Sequence, residues 1–222
     1  MSEPTKLGEG LSEALARFEQ VIFDPERMAE NERLAKEHQE SEARSRRRQR
    51  LEAVGIELER NLHRQVVYDR DLKPTRSLSA VRGWLPRRDY PMLVLNGNRG
   101  CGKSGAAAYA IANWDQSAHW ISAADVIRVF SGHFGDALKR QETMKRARLL
   151  VLDDVGTEGD ASRMCSALVE LLDERKQRKT IVTTNLNKEA WLIRYADDRL
   201  HSRLKESAAF IGDAGPDLRG QP

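Results

Sequence analysis

The chain is poor in the residues that mark secreted scaffolds, metal centres and membrane spans. Among its 222 residues are two cysteines, Cys101 and Cys165, with no C-x-x-C pair. A disulfide framework or a cysteine-built zinc site is therefore not expected, and a reducing compartment fits. The five histidines, His38, His63, His119, His133 and His201, stand at no ligand spacing. No apolar run approaches the roughly 18 residues of a membrane span, and the opening MSEPTKLGEG has no hydrophobic signal region. These absences predict a cytoplasmic protein with no membrane association. Aromatic residues amount to 6%, and Trp84, Trp114, Trp120 and Trp191 are expected to pack in the core rather than to stack on bases. The excess of positive charge is small, +3, which permits contact with nucleic acid without demanding it.

What is present falls into two parts. Leu11, Leu15, Phe18, Val21 and Ile22 recur at helical spacing and form one apolar stripe. After Pro25 the sequence ERMAENERLAKEHQESEARSRRRQRLEAV is charged and helix-forming, with little to bury, and reads as one long solvated helix or two. We expect residues 1–50 to form a helical partner-binding extension and residues 51–222 a separate nucleotide-binding domain. The basic run Arg44, Arg46, Arg47, Arg48 and Arg50 suits a solvated helix face, contact with a phosphate backbone or a targeting signal.

Beyond Gly55 apolar strands alternate with amphipathic helices. SLSAVRGWL reads as a helix before the strand MLVL. HWISAADVIRVF reads as a strand ending near Ile121, with Ser122 as N-cap of the following helix. LLVLDD and TIVTTNL read as buried strands around the amphipathic SRMCSALVELLDERKQRK. Such alternation predicts an α/β fold with a parallel sheet covered on both faces, and phosphate chemistry at the C-terminal strand ends.

The strongest motif is GNRGCGKS, Gly97 to Ser104, between the strand and the helix AAAYAIANW. Its spacing is G-x-x-x-x-G-K-[ST]. Gly97, Asn98, Arg99, Gly100, Cys101 and Gly102 form a loop able to turn N–H groups onto a phosphate chain at a helix N-terminus. Lys103 is placed for the β- and γ-phosphates and Ser104 for Mg²⁺. Asp153 leaves the end of LLVLDD to complete the metal site, and Asp154 is placed to orient the attacking water, with Glu158 as a weaker alternative. Thr184 and Asn185 end the next strand within reach of the γ-phosphate or that water. Arg199 and Arg203 share a helix face four residues apart; each suits a neighbour's γ-phosphate or a surface ion pair with Asp197 or Asp198. Cys101 reads as a small tolerated side chain or a redox switch.

The order GNRGCGKS, LLVLDDVGTE, TIVTTNL, DRLHSRL resembles that of AAA+ ATPases of the DnaC/DnaI helicase-loader type, a pattern shared with IstB-type transposition helpers. The resemblance covers residues 51 to 219. It implies a P-loop AAA+ domain using ATP and Mg²⁺, self-association through the ATP sites, and action with a replicative DNA helicase on single-stranded DNA; a nucleotide-regulated adaptor with little turnover is the alternative from another class. By resemblance, Asp153 and Asp154 are the metal-site and catalytic acids, Asn185 the first sensor, Arg203 the arginine finger with Arg199 beside it, and Arg219 a second-sensor arginine. Residues 124–146, with Arg128, Lys139, Arg140, Lys145 and Arg146, resemble a helical insertion associated with single-stranded DNA. The chain departs from the pattern at Asp154, where most such ATPases have glutamate, and at Glu57, where many relatives have proline. No cysteine cluster is present for a zinc-bearing loader domain, and no lid domain is expected after Pro222.

Overall fold

The computed structural model describes residues 24–56, 61–68, 72–87, 89–133 and 135–218. The apolar stripe from Leu11 to Ile22, Glu57 and Arg219 lie outside the described residues. The chain divides into two units at Ser45/Arg46.

A single helix, α1 (Pro25–Ala53), runs across that division. Its first part is exposed almost throughout, as expected of a segment with few apolar residues, and is laced by pairs such as Arg44–Glu40. Within the second unit the basic run has a further use. Arg47 donates to the carbonyl of Val67, and Arg50 to that of Ala112 at 3.0 Å. Ala112 ends a helix, so Arg50 meets the negative end of its dipole. Leu51, one residue on, is fully buried.

Helices α2 (Asn61–Tyr68) and α3 (Arg76–Trp84) follow, then β1 (Met92–Gly97), α4 (Lys103–Ala112), β2 (Ala118–Ser122), α5 (Ala123–Phe130), α6 (Ala137–Arg146), β3 (Leu149–Val155), α7 (Ala161–Glu174), β4 (Lys179–Thr184), α8 (Lys188–Arg194), α9 (Asp198–Ser207) and β5 (Ala208–Asp213). The five strands form one parallel sheet in the order β2-β3-β4-β1-β5. Because side chains alternate along a strand, the sheet feeds two cores. Met92 and Val94, Leu150 and Leu152, and Val182 pack with Val126, Leu168, Trp191 and Leu204. Leu93 and Leu95, Leu149 and Val151, and Ile181 pack with Leu51, Val81, Trp84 and the alanines of α4. Burial on both faces is why MLVL of β1 and LLVL of β3 read as unbroken apolar runs rather than as alternating ones.

The expected boundaries hold closely at several places. Ser122 Oγ accepts the N–H of Asp125 and caps α5. Trp84 and Trp191 are buried, and Trp114 and Trp120 pack against the core partly covered. Two features were not legible. The edge strand β5 has small residues and a glycine. In addition, α7 stops at Glu174, short of the helix-forming run that follows. Arg175 then turns inward, 2% exposed, and donates to the carbonyls of Met144, Ala147 and Lys179 and to Thr180 Oγ1. Burial pushes its pKa down to about 9, yet the acceptors around it satisfy a cation.

Candidate functional site

The C-terminal ends of β1, β3 and β4 lie side by side, and the glycine loop leaves β1 there to open α4. Lys103, the first residue of α4, is 6% exposed. Its ammonium donates to the carbonyls of Gly97 (2.8 Å) and Asn98 (2.7 Å) and to Asn185 Oδ1 (3.0 Å), three acceptors for three N–H groups. Thus the loop lysine and the residue just after β4 meet across 82 positions of sequence. Cys101 is buried beside them, its Sγ 3.8 Å from Lys103 Nζ.

The loop glycines answer to crowding as well as to backbone angle. A Cβ on Gly97 would stand 2.0 Å from the carbonyl oxygen of Asp213. Gly100 has φ +81°, and a Cβ there would fall 1.8 Å from the carboxylate of Asp217. Leu218 N–H donates to the Gly100 carbonyl at 3.0 Å. The segment after β5 therefore lies directly on the phosphate loop. It is held by Asp213, whose buried carboxylate accepts Ser77 N–H (2.8 Å) and Ser77 Oγ–H (2.9 Å) at the start of α3. Burial pushes this carboxyl up, but the Ser77 donors and the Gly215 N–H outweigh it and hold it below the usual carboxylate range.

Beside the loop, Ser104 Oγ donates to Asp153 Oδ1 at 3.0 Å, and Thr183 Oγ1 donates to the same oxygen at 2.6 Å. Asp154 follows with φ +58°, the described non-glycine residue in left-handed backbone, and the β3–β4 register shifts between Leu152 and Val155. This bulge re-aims both acids. It leaves Asp153 toward Ser104 and Asp154 exposed, with the Asp154 N–H donating to Thr183 Oγ1 at 2.9 Å. Asp is among the few side chains that accept this conformation. Thr183 was missed from sequence, where Thr184 drew attention instead. Period two on β4 puts Thr183 on the face of Asn185; Thr184 Oγ1 accepts the Leu186 N–H and shapes the turn.

Glu158 is committed elsewhere. At 5% exposure, Oε1 accepts from Arg194 Nε (3.1 Å) and from the Tyr195 hydroxyl, and Oε2 accepts the Gly156 N–H (2.7 Å). Burial and the Glu158 carboxylate push the Tyr195 phenol up. This cluster ties the turn after β3 to α8.

Arg199 and Arg203 are not brought to this loop. Arg203 borders a cleft with Pro91, Met92 and Thr180, at the N-terminal ends of β1 and β4. The six residues of β1 separate that end from Gly97, about 17 Å at the usual strand rise. Arg199 lies one helical turn away, 70% exposed, paired with Asp197 at 3.0 Å; it holds the Asp197 carboxyl down to about 2. In residues 124–146 four of the five cations named above have acidic neighbours: Arg128 with Asp125, Arg140 with Asp136, Lys145 with Glu170 and Arg146 with Glu142. Among the described residues no cluster of histidine, cysteine and acid is fit for a metal, and no helix is long and apolar enough to cross a membrane.

A glycine loop between β1 and α4, an acid-tipped β3 and a polar-tipped β4 in one parallel sheet define a P-loop AAA+ ATP-binding domain. The model of the IstB-like ATP-binding protein family matches residues 6–207, and the chain belongs to that family. Comparison with curated proteins gave no match. Solved structures share the fold. DnaI is 20% identical with a TM-score of 0.57, covering 74% of this chain and 95% of that one. The DnaC helicase loader is 21% identical with a TM-score of 0.52, covering 62% and 88%. A DNA replication initiation factor is 18% identical with a TM-score of 0.54, covering 64% of this chain; the match spans 48%, about half, of that protein's length.

Proposed function

We propose that this protein hydrolyses ATP with Mg²⁺ and uses the nucleotide cycle to load a replicative DNA helicase onto single-stranded DNA. The observation that carries the ATPase reading is the convergence of Lys103, Ser104, Asp153 and Asn185 at one loop. A triphosphate offers Lys103 anionic oxygens in place of the neutral carbonyls it now meets. Ser104 and Asp153 supply hydroxyl and carboxylate oxygens, the donor chemistry Mg²⁺ prefers, and would hold the ion there. When bound, Mg²⁺ neutralises charge on the β- and γ-phosphate oxygens. Asp154, exposed beside this cluster, orients and polarises the attacking water. Asn185 contacts the γ-phosphate or that water, and Arg219 takes, by resemblance, the second-sensor role. Arg203, with Arg199 nearby, acts on the site of a neighbouring copy, since its own loop is a strand length away.

The loader assignment draws on the DnaC/DnaI motif order and on the N-terminal helical extension. The family match itself favours a second reading, an IstB-like helper that delivers a transposase to DNA. One experiment separates the readings: ATP hydrolysis measured with and without single-stranded DNA, alongside capture of the host replicative helicase, for the wild type and Lys103→Ala. Hydrolysis stimulated by DNA, helicase capture, and loss of nucleotide binding in Lys103→Ala are expected. DNA-stimulated hydrolysis without helicase capture would favour the transposition helper. Undiminished nucleotide binding by Lys103→Ala would overturn the phosphate-loop assignment.

A further inference from the structure

Arg203 is held by its own chain in a defined plane. Its Nε and Nη2 fork onto the two carboxylate oxygens of Asp173 at 2.5 and 2.8 Å, and Nη1 donates to the Arg199 carbonyl at 2.9 Å. A guanidinium carries five N–H groups in rigid geometry, so these bonds leave two, one on each terminal nitrogen. A bidentate grip fixes the plane in which those two point. The pair lies at the surface, with Arg203 32% and Asp173 43% exposed. Surface ion pairs in general contribute little to stability, a bidentate one somewhat more. Asp173 also sits in the last turn of α7, where a carboxylate opposes the helix dipole. Helix stability therefore gives no reason for an acid here, whereas the fork on Arg203 does. Two further guanidiniums border the same cleft, but Arg175 and Arg178 are turned onto backbone carbonyls of the chain.

We propose that Asp173 is a positioning residue for Arg203: it orients the guanidinium so that its two remaining N–H groups meet the terminal phosphate of a nucleotide bound to a second copy of this chain. The inference rests on the reading of Arg203 as a finger that acts between copies. Asp173 touches no nucleotide itself; it acts through Arg203, in the subunit that donates the finger.

Subunit mixing tests the inference and keeps it apart from the reading beneath it. Lys103→Ala subunits supply a finger without a working site, and Arg203→Ala subunits supply a site without a finger. DNA-stimulated hydrolysis should recover when the two are mixed. With Lys103→Ala/Asp173→Asn as finger donor, the recovered kcat should fall by up to about 100-fold, the effect of a misdirected group, with KM for ATP unchanged. Asp173→Glu in the donor should return part of the rate. Asp173→Asn placed in the Arg203→Ala subunit should change nothing. No recovery in the first mixture would overturn the finger reading, and this inference with it. Recovery that is equal with and without Asp173 in the donor would leave the finger standing and overturn the inference alone. A donor that no longer assembles, by sedimentation, would also overturn it, since Asp173 would then serve the interface rather than the guanidinium.

Discussion

At the residue scale, two carboxylates four positions apart have opposite circumstances. Asp154 is exposed on a bulge beside the Ser104–Asp153 pair, while both oxygens of Glu158 are taken by Arg194, Tyr195 and Gly156. A general base must be able to reach water, and Glu158 cannot without abandoning buried partners. Asp154→Asn should keep nucleotide affinity and lower kcat by about 100-fold or more, in the range for loss of a general base. Single-turnover hydrolysis and nucleotide titration check this, and normal turnover would remove Asp154 from the role. Glu158→Gln should act on stability instead. Weakening a hydrogen-bonded buried carboxylate costs about 1–3 kcal/mol, readable as a lower melting temperature with kcat nearly retained.

At the scale of elements, β5 does more than close the sheet. Its last residue, Asp213, clasps the start of α3 through Ser77 and sets its own carbonyl against Gly97. Strand, helix and phosphate loop are thus coupled through one side chain. Its folded pKa lies below the ordinary 3.8, so the unfolded chain binds the proton first. The stabilisation is complete above that ordinary value and is lost as pH falls through the lower folded value. Asp213→Asn should cost about 1–3 kcal/mol at neutral pH, for a charged buried acceptor. The gap between the two melting temperatures should narrow as the pH is taken below 3.8. A gap constant with pH would show that the carboxylate charge is not what holds the clasp.

At the scale of the whole molecule, α1 belongs to two units. Its portion up to Ser45 contributes no buried apolar residue, whereas Arg50 and Leu51 serve the ATP-binding unit. An amphipathic stripe too short for its own core, Leu11 to Ile22, suits a groove on another protein. Removing residues 1–45 should therefore spare nucleotide binding and melting temperature while abolishing capture of the helicase. Removing residues 1–53 should lower the melting temperature as well, because it strips Leu51; truncating a buried leucine costs about 2–5 kcal/mol. Full helicase binding by the shorter truncation would move recognition onto the ATP-binding unit.

Much of this was legible in the linear chain, for a physical reason. A strand buried on both faces must be apolar throughout, and a phosphate loop must have glycine at set spacing. MLVL and LLVLDD followed from the first requirement, GNRGCGKS from the second, TIVTTNL from its β-branched residues, and Ser122 showed its cap by residue type alone. Tertiary structure decided what depends on meetings between distant segments. Thr183 reaches Asp153 only because β4 lies beside β3 and the acids sit on a bulge. Glu158 is withdrawn from chemistry by α8, and Arg175 is drawn inside by carbonyls that no local pattern announces. Asp173 and Arg203 stand 30 residues apart and meet because α7 and α9 pack together. Local composition determines which elements form and which loop can hold phosphate. The packing of those elements decides which polar side chains are spent on the fold and which remain for the nucleotide.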